Sequence, residues 1–174
     1  TTGPMASLPG FDQIYQAFCG MSVMQGGHAQ PPEQVAGAPL DCLNALLTAA
    51  GILMALRHRD RTGEGQHGEC AQLAAGLFAL SEVYRTDAGV SSPGQLDHER
   101  RRLGPGYRIE RAADGWIFVC CRDEEQRERL RSALGEDVDW GARSLDAWSA
   151  ELGSLGIASS PVRAGFDGGL LRDP

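Results

Sequence analysis

The stretch Gly37–Gln66, GAPLDCLNALLTAAGILMALRHRDRTGEGQ, carries the longest apolar run of the chain and fixes how its neighbours are read. From Asp41 onward, Leu43, Leu46, Leu47, Ala50, Leu53, Met54 and Leu56 put apolar side chains on most of a helical circumference. Arg57, Arg59 and Arg61 crowd the far end, where cations suit the negative end of the helix dipole, and Gly63 supplies a stop. The pattern predicts a helix that opens at Asp41. Thr62–Gln66 then reads as a tight turn, because its glycines lack the preceding strand and the Lys of a phosphate-binding loop.

Asp41 is an isolated carboxylate directly ahead of that apolar run, and two roles suit it. An Asp at this place is a preferred N-cap, accepting hydrogen bonds from free amides of the first turn and worth about 1 kcal/mol over Ala. A carboxylate held at a helix start can equally serve as a nucleophile, its charged form favoured by the dipole. The residue alone does not choose between them.

Upstream, Phe11, Ile14, Tyr15 and Phe18 recur at one-face helical spacing after the Pro9-Gly10 break, which predicts a helix over 11–24. Gln25–Pro39 is rich in Gly and Pro and reads as a loop. Downstream, Ala71–Tyr84 predicts another Ala/Leu helix, and the polar stretch 87–105 reads as a linker. Tyr107–Glu110 and Trp116–Val119 flank Asp114-Gly115 and predict a β-hairpin. Two amphipathic helices, Asp123–Leu134 and Ser144–Leu155, and a strand from Ile157 to Val162 complete the pattern. The expected division is a helical part over residues 1–86, the linker 87–105, and a small α+β domain over 106–174.

Composition narrows the function. The 174 residues carry 16 Lys plus Arg against 23 Asp plus Glu, net −7, which speaks against a surface built to neutralise a nucleic-acid backbone. The apolar run near Leu46–Leu56 is interrupted by Thr48 and Gly51 and falls short of the ~20 residues of a membrane span, so no membrane segment is expected. No export signal is legible at the start, and a cytoplasmic location is expected. Five cysteines without a CxxC pair read as buried reduced thiols, and no metal site is expected. There is no GxSxG, HExxH or GxxxxGK[ST] string, so serine hydrolases, zincins and P-loop enzymes lack support.

Several strings, in order along nearly the whole chain, carry a resemblance. They are TTGPMASLPGFDQIYQAFCGM, GAPLDCLNALLTAAGILMAL, RDRTGEGQ, GPGYRIERAADGWIFV and LGSLGIASSPV. Together they resemble the class III CoA-transferases, the CaiB/BaiF family, which also contains formyl-CoA transferase-like enzymes and 2-methylacyl-CoA racemases. The resemblance implies an α/β fold in which this chain is part of a Rossmann-like large domain plus a small α+β domain. It further implies an interlocked dimer, with CoA thioesters as substrates and no permanently bound cofactor.

By that resemblance the transferase nucleophile falls on Asp41. There the carboxylate takes an acyl group from acyl-CoA, becomes an aspartyl-CoA thioester, and passes CoA to a carboxylic acid. Gly10, Phe11, Asp12 and Tyr15 match the segment that lines the CoA thioester, which implies a substrate-binding role for them. The racemase branch pairs its Asp with a His thirty residues earlier; here that position is Phe11, and a phenyl ring moves no proton. The transferase is therefore the expected activity, with a racemase or a non-catalytic subunit as alternatives. Family members are longer, so a homodimer or a partner subunit is expected to supply the nucleotide-binding half.

Overall fold

In the computed structural model, which describes residues 3–4, 6–92 and 94–163, the chain separates into two units, Thr1–His98 and Glu99–Pro174. The division falls inside the segment read as a linker, and that segment is not featureless. It holds strand residues on both sides of the division. The tail 164–174 of the expected small domain lies outside the described residues, as do Thr1, Thr2 and Met5 of the first motif.

The first unit is helical. α1 (Asp12–Cys19) and α2 (Met21–Gly26) replace the single helix predicted over 11–24. Gly20 adopts a left-handed conformation, φ 90°, that ends one helix and starts the next, a geometry glycine reaches without steric cost. α3 (Pro39–Thr62) is the long apolar helix, with Pro39 in its first turn, Arg59 and Arg61 in its last, and Gly63 in a left-handed cap whose N–H bonds Arg59 O at 2.7 Å. α4 (Gln72–Ala79) is shorter than predicted, and a small hairpin of β1 (Tyr84–Thr86) and β2 (Gly89–Ser91) follows it.

Close approach of backbones holds α1, α3 and α4 together. A Cβ added at Gly76 of α4 would lie 3.2 Å from Cys19 Sγ of α1 and 3.5 Å from Leu40 Cδ1 of α3. Leu40 and Ala75 are fully buried at this junction. Beyond it α3 is bare: Leu46, Ile52, Leu53 and Met54 are all exposed, Leu53 by 67%. At 24 residues, with mean hydropathy 1.6 over its most apolar window, α3 is long and apolar enough to cross a membrane. Thr48 and Gly51 interrupt the apolar run without interrupting the helix, so the helix is longer than that run; Thr48 Oγ1 simply donates back to Asn44 O at 2.7 Å.

The second unit is a four-stranded antiparallel sheet in the order β3-β4-β5-β6, built from β3 (Arg102–Gly104), β4 (Tyr107–Arg111), β5 (Trp116–Cys120) and β6 (Ala158–Pro161). The predicted hairpin is β4–β5, with Ile109 opposite Phe118 and Arg111 opposite Trp116. Alternation sets its faces: Ile117 and Val119 are buried while Phe118 is open. α5 (Glu124–Leu134) and α6 (Leu145–Ser154) contribute Leu130, Trp148 and Leu152 to the core beneath that sheet, beside Trp140 and Ile157.

Both helices start where the sequence indicates. Asp123 accepts from Gln126 N at 2.8 Å, and Ser144 accepts from Ala147 N at 3.3 Å. Trp148 Nε1 donates to Trp140 O at 2.7 Å, so the one polar atom of that buried ring is satisfied. Cys121 is buried in this core, as expected, but Cys42 and Cys70 are exposed, which corrects the reading of all five thiols as buried.

Candidate active site

The helix start that carries Asp41 is capped from a distance. α3 begins at Pro39, two residues earlier than predicted, so Asp41 stands inside the first turn and the N-cap position is Ala38, which offers no side-chain acceptor. The acceptor comes from α1 instead. Asp12 Oδ2 takes hydrogen bonds from Leu40 N at 2.7 Å and Asp41 N at 2.8 Å. A carboxylate at this place satisfies two otherwise free donors and faces the positive end of the helix dipole. Asp41 is thus not the N-cap, and its side chain is left for other use.

Asp12 is 1% exposed and fully engaged. Its other oxygen accepts from Gln16 Nε2, one turn along α1. Gln16, fully buried, also ties the Gly/Pro loop: Val35 N donates to its Oε1 at 2.9 Å, and its Nε2 reaches Val35 O at 3.3 Å. Asp12 and Gln16 therefore fix where the loop 27–38 ends and α3 begins, which is what sets the position of Asp41.

The Asp41 side chain is exposed, and Gln72 Nε2, at the first residue of α4, donates to its Oδ1. Among the described residues no further partner holds the carboxylate, so Oδ2 is open. One turn along α3, Asn44 Oδ1 accepts from Cys70 Sγ at 3.1 Å, so the segment 70–72 meets the first two turns of α3 at two points. A carboxylate with one oxygen anchored, the other open, and a helix N-terminus beneath it has the geometry a nucleophile needs.

The remaining residues expected at the site are arranged in two ways. Gly10 and Tyr15 are in contact: a Cβ at Gly10 would fall 2.2 Å from the Tyr15 hydroxyl oxygen, so the half-buried ring lies directly on the glycine backbone. Phe11, at the position before α1, is 61% exposed. Asp12 is engaged with backbone as described. Gln72 was absent from the sequence reading, since nothing local marks a glutamine at a helix start 31 residues from Asp41 as its partner.

A groove of about 410 Å³ runs along α3 past Leu47, Ile52 and Leu56 to Arg59, closed on its other side by Gly65–Cys70. Asp41 does not line it. No group of three or more His, Cys, Asp or Glu able to hold a metal ion is present among the described residues.

Comparison with known proteins places the chain in a family. Succinyl-CoA:mesaconate CoA-transferase of Haloarcula marismortui is 35% identical over 143 residues, which is 81% of this chain and 35% of that protein. The alpha subunit of succinyl-CoA–L-malate CoA-transferase of Chloroflexus aurantiacus is 33% identical over 141 residues, 76% of this chain and 32% of the subunit. Among solved structures, a CaiB/BaiF family protein from Brucella suis superposes with a TM-score of 0.75 at 23% identity, over 99% of this chain and 52% of that one. The chain spans about a third of the length of the curated relatives it matches. The sequence profile of CoA-transferase family III matches residues 1–163, and the chain belongs to that family.

Proposed function

We propose that this protein is a portion of a transferase that moves CoA between an acyl-CoA and a carboxylic acid, with Asp41 as the acyl-accepting nucleophile. The observation that carries the reading is the division of labour at the start of α3. Asp12 caps the helix amides, Gln72 anchors one oxygen of Asp41, and the second oxygen is open.

In the reaction, Asp41 Oδ2 attacks the acyl carbonyl and expels CoA thiolate, leaving a mixed anhydride on Asp41. The thiolate returns to Asp41 Cγ and releases the first carboxylic acid, which keeps Oδ2 as one of its oxygens. The aspartyl-CoA thioester then undergoes the mirror sequence with the acceptor acid. Each difficult exchange becomes two easier ones, and no free thiolate leaves the site.

The substrate class follows from the relatives, whose names point to succinyl-CoA as donor and dicarboxylic acids as acceptors. The rest of the site is contributed by the remainder of a longer protein, by a second copy or by a partner subunit. The bare circumference of α3 supports this, because a helix apolar all round needs cover on every side and here α1 and α4 cover only its beginning. A racemase reading has no such support, since the position thirty residues before Asp41 is an exposed phenylalanine.

The test is CoA exchange by the complete assembly, with succinyl-CoA and a panel of dicarboxylic acids. Asp41→Ala is expected to abolish exchange while leaving helix content and Leu40 burial intact. Wild-type exchange in that variant would overturn the assignment, and deuterium uptake at the α-carbon of a 2-methylacyl-CoA would move it to racemisation.

A further inference from the structure

Among the described residues the one side-chain donor to the Asp41 carboxylate is Gln72 Nε2, on Oδ1. An ionised carboxylate only accepts hydrogen bonds, so the Gln72 amide group must face it with its NH₂. That NH₂ is held in advance of any substrate. Gln72 opens α4, and α4 is pinned by the contact of Gly76 with Cys19 and Leu40, the residue next to Asp41. The same segment is tied again through Cys70 and Asn44, one turn further along α3.

We infer that Gln72 is the oxyanion donor for the two steps in which Asp41 Cγ becomes tetrahedral. This rests on the reading of Asp41 as nucleophile. When Oδ2 has attacked the acyl group, Oδ1 becomes the carbonyl oxygen of the anhydride. Thiolate addition to Cγ forms the C–S bond and moves the carbonyl electron pair onto Oδ1; collapse re-forms the carbonyl and breaks the Cγ–Oδ2 bond, releasing the carboxylate. In the second half an acceptor carboxylate adds to the thioester at Cγ, charge again appears on Oδ1, and CoA thiolate departs. Gln72 Nε2 donates to that oxygen in both additions.

The charge on Oδ1 is small in the anhydride and thioester and full in the tetrahedral species, so the hydrogen bond strengthens where the barrier lies. The opening attack by Oδ2 gains nothing from it, because the donor already draws charge toward Oδ1. Loss of Gln72 therefore slows the Cγ steps selectively, and the anhydride waits longer for thiolate. Water then competes, and acyl-CoA is hydrolysed to acid and CoA instead of being transferred.

The experiment uses the complete assembly and three variants, Gln72→Leu, Gln72→Glu and Asp41→Ala, with succinyl-CoA and isotopically labelled succinate as probes. Gln72→Glu keeps the length of the side chain and puts an acceptor where the donor stood, which separates loss of the donor from loss of packing. Both Gln72 variants are expected to lower kcat by about 100- to 1000-fold, the usual cost of one oxyanion donor, with KM little changed and more hydrolysis per transfer. A fall in kcat of less than about tenfold, or a fall with no rise in hydrolysis per transfer, would overturn the assignment of Gln72. Exchange that survives in Asp41→Ala, or is absent from the wild-type assembly, would instead overturn the reading on which it rests.

Discussion

Replacing Asp12 with alanine removes the acceptor shared by the Leu40 and Asp41 amides, and its effect can be worked from the geometry. The cap itself is worth about 1–2 kcal/mol. Gln16, fully buried and bonded to the other oxygen of Asp12, loses a charged partner, which adds about 1–2 kcal/mol for a buried donor left unpaired. The total is about 3 kcal/mol, a sizeable share of a typical domain's stability. With a urea slope of about 1–3 kcal/mol/M, the midpoint of the helical signal falls by roughly 1–3 M. Hydrogen exchange gives the local readout: protection of the Leu40 and Asp41 amides drops by roughly 100-fold, since about 1.4 kcal/mol corresponds to a factor of ten. Asp12→Asn keeps the shape but turns an NH₂ toward either the helix amides or Gln16, so its loss is smaller than that of alanine. Stability and amide protection unchanged in Asp12→Ala would refute remote capping as what fixes the start of α3.

Other outcomes follow from the same contacts. A Cβ at Gly26 would meet Pro31 O at 2.2 Å, whereas one at Gly51 in the middle of α3 meets nothing within 4 Å. Gly26→Ala is expected to lower the melting temperature and Gly51→Ala to raise helix stability in this chain by about 1 kcal/mol, both read by thermal denaturation; equal effects would contradict the packing described. Burial pushes the Cys121 thiol up from its ordinary value. The unfolded chain then ionises this thiol first, so its contribution to stability is complete at neutral pH and is lost as pH rises past about 8.5 toward the folded value. In pH-resolved alkylation Cys42 and Cys70 are expected to react well before Cys121, and simultaneous labelling would contradict its burial.

The parts of the structure that rest on neighbouring residues were legible in the sequence. Alternation around Asp114-Gly115 marked β4 and β5, and Asp123 and Ser144 marked the starts of α5 and α6, because hairpin turns and side-chain caps act over a few residues. Signals that act at a distance were not. Capping was one of the two roles open to Asp41, because an Asp ahead of an apolar run often caps it; the real cap, Asp12, lies 29 residues away from the Asp41 amide it serves. The donor on Asp41 is likewise remote, and β1, β2 and β3, three residues each, are too short and polar to show a period. Gly20 broke a helix that the spacing of Phe11, Ile14, Tyr15 and Phe18 would have carried through, since periodicity reports faces and not backbone conformation.

The site gains its character from this distance. Because α1 satisfies the amides of α3 and α4 holds one oxygen of Asp41, the carboxylate stands at a helix start without being consumed by it. That separates holding the helix from chemistry at its end, and it makes Asp41 the residue on which the functional reading depends. The most direct measurement is native mass spectrometry of the chain in its complete assembly, mixed with succinyl-CoA and compared with Asp41→Ala. A covalent adduct of the mass of CoA less one water on the wild type, mapped to Asp41 after proteolysis and missing from the variant, is the expected result. An adduct that persists in Asp41→Ala, or exchange that proceeds with no adduct at Asp41, would contradict it.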